Sequence, residues 1–114
     1  MALEVNGNSI EVDDNGNLVD PQAWNEDVAR ALAAADETMA ELTEEHFQVL
    51  NYLRDEYFNN NGNQPMERAI NKDMGKIWGK KVSSKDLYVL FPGAPSKQGN
   101  RIAGLPYVAR KGGY

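Results

Sequence analysis

The stretch LTEEHFQVLNYLRDEYFNNNGNQP, Leu42 to Pro65, carries the plainest structural instruction in the chain. Thr43 is a helix N-cap residue whose hydroxyl can take a following amide, and Leu42 and Phe47 stand at the two positions of a hydrophobic staple. Glu44 and Glu45 come next, where carboxylates suit the positive end of the helix dipole better than they suit acid–base catalysis. Phe47, Leu50, Leu53 and Tyr57 recur at helical spacing and predict one buried face. The helix stops in Asn59-Asn60-Asn61-Gly62-Asn63, a polar loop. His46 sits at the third helical position, where it is expected to satisfy a nearby backbone group or face solvent.

Working outward, LEV (3–5) and IEV (10–12) flank Asn6-Gly7-Asn8 and predict a β-hairpin, with a second turn over 13–17. An isolated hairpin is marginal in water, so this one must pack on helices. Asp20 as N-cap and Pro21 at the first helical position predict a helix whose buried face is Trp24, Val28, Leu32, Ala35 and Met39. On the other side, Pro65 opens a third helix with Met66, Ala69, Ile70, Met74, Ile77 and Trp78 along one side and Gly79 as its stop. Ser83 or Ser84 caps a short helix through Leu87, Leu90 and Phe91. Ser96 opens a last turn that Gly104 ends, and Leu105-Pro106 forces an extended exit. The expected fold is α+β and mostly α: a hairpin on a helical bundle with a helix–turn–helix-like element. Residues 1–104 are expected to form the globular domain and 105–114 a C-terminal arm.

The chain of 114 residues contains no cysteine and a single histidine. Thiolate nucleophiles, persulfides, disulfides and most zinc or iron–sulfur sites are thereby excluded. No Gly-rich phosphate loop, Ser/His/Asp arrangement or paired-carboxylate cleft is present, so the expectation is a non-enzymatic protein without cofactor or metal. No run reaches the roughly 18 apolar residues of a membrane span, and MALEVNGNSIEVDD lacks a secretory pattern; a cytoplasmic location is expected. Charge is divided unevenly. Residues 1–64 hold fourteen acids and two bases, a net of −12, whereas residues 65–114 hold three acids and ten bases, a net of +7. Either the halves attract one another in the fold or the basic half meets an acidic partner.

Around the helix–turn–helix-like element lie Lys72, Lys76, Lys80, Lys81 and Lys85, able to meet nucleic-acid phosphates. SKDLYVLF, its second helix, lacks the Arg, Asn and Gln that read bases bidentately. Trp24 and Trp78 lie in apolar stripes and are expected in the core. Tyr107 and Tyr114 stand in a basic stretch as partner anchors.

The helix of Leu42 to Pro65, followed by DMGKIWGKK (73–81), LYVLFPGAPSKQG (87–99) and RIAGLP (101–106), resembles the DsrC/TusE family, also called the gamma subunit of dissimilatory sulfite reductase. The resemblance implies a small, mainly helical protein with an N-terminal hairpin and a mobile C-terminal arm. In sulfur-handling members the arm bears a persulfide on a near-terminal cysteine. DsrC has a second cysteine eleven residues earlier, and the two close a disulfide or hold a trisulfide. DsrC delivers its arm to dissimilatory sulfite reductase; TusE passes sulfur toward tRNA thiolation.

At the two positions that the resemblance assigns to cysteines, this chain has Asn100 and Lys111. Neither an amide nor an ammonium forms a persulfide. Three readings follow: a cysteine-less regulatory or protein-binding paralog, contacting sulfite reductase or sulfur-relay proteins through Arg101, Tyr107, Arg110 and Lys111; a DNA-binding regulator; or a non-catalytic auxiliary subunit of a sulfite reductase complex.

Overall fold

A computed structural model describes residues 2–108. The hairpin forms as the sequence predicts: β1 (Ala2–Val5) pairs antiparallel with β2 (Asn8–Glu11), Leu3 opposite Ile10. Asn6 and Gly7 both take positive φ, at 52° and 81°, as a two-residue turn matched to strand twist requires. The hairpin packs on α1 (Glu26–Ala34), and the Asn6 amide donates to Asp27 Oδ2 at 2.8 Å.

The start of α1 differs from expectation. Asp20 does accept from the Gln22 amide, but the unit that it caps is one 3-10 turn, Pro21–Ala23. Trp24 turns extended (ψ 142°), and Asn25 caps α1 through the Val28 amide. The break lets the Trp24 indole reach the far end of the chain, which a continuous helix would not. Consequently Ala35 is the exposed C-cap and Met39 lies beyond the helix, though partly buried against the core.

The central helix, α2 (Glu44–Asn59), begins at Thr43 as expected. His46 completes its capping box: Nδ1 accepts from the Thr43 amide at 2.9 Å, so the proton sits on Nε2, which donates to the Leu90 carbonyl at 2.9 Å. His46 thus joins the start of α2 to the end of α4 (Ser84–Leu90), with its ring edge-on to Phe91 at 5.3 Å. Between them runs α3 (Glu67–Trp78), ended by Gly79 in the left-handed conformation. Its buried side is narrower than predicted. Ile70 and Met74 are fully buried, but Met66 and Ile77 are more than half exposed. Tyr52 donates to Asp73 at 2.5 Å and the Trp78 indole to Gln48 at 2.5 Å, so polar pairs tie α3 to α2 beside that stripe. Last comes α5 (Lys97–Ile102), packed on α2 and α1. Val28, Val49, Leu50, Leu53, Ile70, Met74, Leu87, Phe91, Ile102 and Leu105 form one continuous core. No described helix is long and apolar enough to cross a membrane.

Burial pushes the His46 imidazole below its ordinary value of 6.5, against the pull of the Leu90 carbonyl and Glu45. The unfolded chain therefore takes up a proton first as pH falls. Stability should hold above about pH 6.5 and decline on acidification toward pH 5, before carboxylates titrate. Urea titrations across that range should show the decline vanish in His46→Gln, since glutamine can still accept from Thr43. An unchanged slope in the variant would assign the effect elsewhere.

Candidate functional site

Beyond α5 the chain runs without regular structure, yet Ile102, Ala103, Gly104 and Leu105 are buried. A helix end leaves its last carbonyls without internal partners, and burial makes an unmet carbonyl costly. Four side chains from distant segments answer that demand. The Trp24 indole donates to the Ile102 carbonyl at 2.9 Å, Arg54 Nη1 to Ala103 at 2.8 Å, the Asn17 amide to Leu105 at 2.8 Å and the Gln64 amide to Pro106 at 2.8 Å. Gly104 occupies the centre with φ +73°; a Cβ there would lie 2.5 Å from Trp24 Cδ1 and 2.9 Å from Leu18 Cδ1.

Arg54 holds this clasp together. Its Nη2 donates to the Pro21 carbonyl at 3.0 Å, and the guanidinium lies over the rings of Trp24 (4.5 Å) and Phe58 (4.9 Å). Burial pushes its pKa down from the ordinary value, while two carbonyls and two aromatic faces favour the cation.

Asn100 is fully buried beneath the clasp. Its Nδ2 donates to the Ser96 carbonyl at 2.7 Å, its Oδ1 accepts from Gln64 at 3.3 Å, and its backbone carbonyl accepts from the Leu105 amide at 2.9 Å. Gln64 thereby spends its two amide protons on Asn100 and on the Pro106 carbonyl. The arrangement is chemically quiet: a neutral, hydrogen-bonded amide offers neither nucleophile nor acid.

Arg101 belongs to α5, not to an arm, and pairs with Asp36. Burial alone would raise Asp36, but hydrogen bonds from Thr38 and Gln98, with Arg101 beside it, hold it below the usual carboxylate value. Tyr107 is exposed, and Lys97 approaches its ring at 5.9 Å. Arg110, Lys111 and Tyr114 lie outside the described residues. Val108 is buried, so packing on the body persists past Gly104. All five lysines of the helix–turn–helix-like element are exposed. Lys72, Lys76, Lys80 and Lys81 line one depression of about 270 Å³ with Asn71, Gly75 and Val82; Lys85 stands apart on α4. Neither tryptophan is fully buried: Trp24 serves the clasp, and Lys80 approaches the Trp78 ring at 5.6 Å. Sequence reasoning missed Asn17, Arg54 and Gln64. Only Arg54 left a trace, as a cation in an otherwise ordinary helical stretch.

The class of protein defined here is a small, mainly helical bundle with an N-terminal hairpin and with the segment after its last helix seated in a side-chain clasp. The chain belongs to the DsrC family: the family model described as DsrC like protein matches residues 4–109. It is 37% identical over 108 residues to the sulfurtransferase TusE homolog of Haemophilus influenzae, covering 95% of this chain and 97% of that one. It is 40% identical over 105 residues to the sulfurtransferase TusE of Pectobacterium atrosepticum, covering 91% and 94%. The crystal structure of the oxidized gamma-subunit of the dissimilatory sulfite reductase (DsrC) from Archaeoglobus fulgidus superposes with a TM-score of 0.87 at 36% identity, covering 97% of this chain and 99% of that one.

Two substitutions test the clasp by chemical denaturation. Arg54→Met strips the Ala103 and Pro21 carbonyls of their donor and should cost about 2–4 kcal/mol, whereas Arg30→Met, at an exposed ion pair, should cost less than about 0.5 kcal/mol. Gly104→Ala meets both the positive φ and the Trp24 wall, for a loss of about 3 kcal/mol or more. Gly7→Ala, with nothing within 4 Å, should lose only about 1 kcal/mol. Equal losses within either pair would mean that the clasp contributes nothing of its own.

Proposed function

We propose that this chain is a binding member of the DsrC/TusE family that carries no sulfur and is not an enzyme. It engages proteins of a sulfite reductase or sulfur-relay system and regulates them by occupying a surface that a cysteine-bearing member would use. The observation that carries this reading is Asn100. By family resemblance it stands at a cysteine position, and here it is a buried amide with its hydrogen bonds made. Lys111 stands by the same resemblance at the near-terminal cysteine position, and the 114 residues contain no thiol. Tyr107, Arg110 and Lys111 form the partner contact, with the clasp setting where that contact begins. Arg101 is removed from this set, because Asp36 already takes its charge.

Buried Leu105 and Val108 decide where to cut. Deleting 105–114 would remove core side chains and the Asn17 contact, so a cut after Gly104 would disturb the body as well as the arm. The suitable variant ends at Val108. With purified dissimilatory sulfite reductase and sulfur-relay proteins as baits, the full chain should bind and the shortened one should not; equal binding, or none by the full chain, would refute the arm contact. Incubated with a persulfide donor, the chain should show no mass gain, whereas Asn100→Cys with Lys111→Cys should gain about 32 Da per added sulfur. A gain in the unaltered chain would overturn the cargo-free reading.

A further inference from the structure

The charge division of the sequence is not settled by internal pairing. Among the described residues, the ion pairs are Arg30 with Glu26, Arg30 with Asp27 and Arg101 with Asp36, so only one links the two halves. The acids of the basic half each take a neutral donor, and Asp86 also acts on Lys80 and Lys85. Glu67 takes the Tyr88 hydroxyl at 3.2 Å, Asp73 the Tyr52 hydroxyl at 2.5 Å, and Asp86 the Ser83 amide at 3.0 Å. What remains is a row of exposed cations outside the described ion pairs, flanked by Glu56 beside Arg68 and Lys72 and by Asp86 toward Lys80. Arg68, Lys72 and Lys76 follow one another at four-residue intervals along α3, and Lys80 and Lys81 extend the row where α3 ends.

Four-residue spacing on a helix sets successive charges about 6 Å apart along the axis. A second helix with carboxylates at i, i+4 and i+8 has the same rise, so the two rows can meet charge to charge along three turns. We infer that the Arg68–Lys72–Lys76 ridge, with Lys80 and Lys81, is a docking surface for an acidic helix of a partner protein, separate from the clasp and from the residues beyond it.

Nucleic acid fits less well. The neighbouring helix α4 presents Tyr88 and Val89, 38% and 77% exposed, in place of side chains that read base edges. A duplex carries a charge every ~1.7 Å over its whole length and would repel the half of net −12, whereas a short acidic helix bears its charge only along the ridge.

The test is an NMR titration of the full chain at low salt with three probes: a helical peptide with Glu at i, i+4 and i+8, a composition-matched scrambled peptide, and a DNA duplex. The patterned peptide should shift resonances of residues 68–81 and bind several-fold more tightly than its scramble. Lys72→Glu with Lys76→Glu should weaken it by about tenfold or more, while Arg30→Glu with Lys85→Glu, an equal change in net charge, should weaken it far less. Retained resonances of the Arg54 clasp will show that the variants are folded, and Lys72→Gln with Lys76→Gln provides a milder pair with the same direction of effect. The chain ending at Val108 should bind the peptide as well as the full chain does, which separates this surface from the proposed arm contact. Equal binding of the scramble, tighter binding of the duplex, equal loss in the two charge-reversal pairs, or shifts confined to other residues would each overturn the inference.

Discussion

The guanidinium of Arg54 is the interaction on which the rest of the structure depends. It lies between the Pro21 and Ala103 carbonyls, 2.8–3.0 Å from each, with Trp24 and Phe58 against its faces. A half-buried cation of this kind is held in place by using its donors, and both carbonyls would be left without this donor if it moved. One side chain therefore ties the loop before α1, the middle of α2 and the segment after α5 into a single unit. The break at Trp24 and the left-handed Gly104 are consequences of the same requirement: each brings a group to the clasp that regular structure would hold away.

Asn100 is a buried amide with both ends hydrogen-bonded. The DsrC fold is kept here, and the segment after α5 is seated by the clasp. A buried thiol would be a weak hydrogen-bonding group free to react; the amide uses both ends at once, toward Ser96 and Gln64. Through Gln64 that amide is coupled to the Pro106 carbonyl. Asn100 thereby helps to fix the point where the chain leaves the body.

Much of the fold was legible. Thr43 and the apolar positions of α2, the Asn6-Gly7 turn and the Gly79 stop are local instructions, each completed within a few residues, and the structure follows them. Errors arose where a local signal competed with a distant one. Asp20-Pro21 is a sound helix opening, yet the Ile102 carbonyl draws Trp24 out of line, and the helix restarts one cap later. Leu105 reads as the start of an arm because Pro106 forbids a helix, while the core and the Asn17 amide, far back in the chain, hold it.

By itself the sequence determined most of the element types, several of their caps, the lack of a thiol and the uneven division of charge, all of which are written in residue identity and short spacing. Only the tertiary structure decided which polar residues meet. The clasp joins Asn17 to Leu105 across 88 positions, Trp24 to Ile102 across 78 and Arg54 to Ala103 across 49. Such pairs have no period to betray them, because a hydrogen bond between distant segments is set by how the helices pack and not by the order of residues along either one.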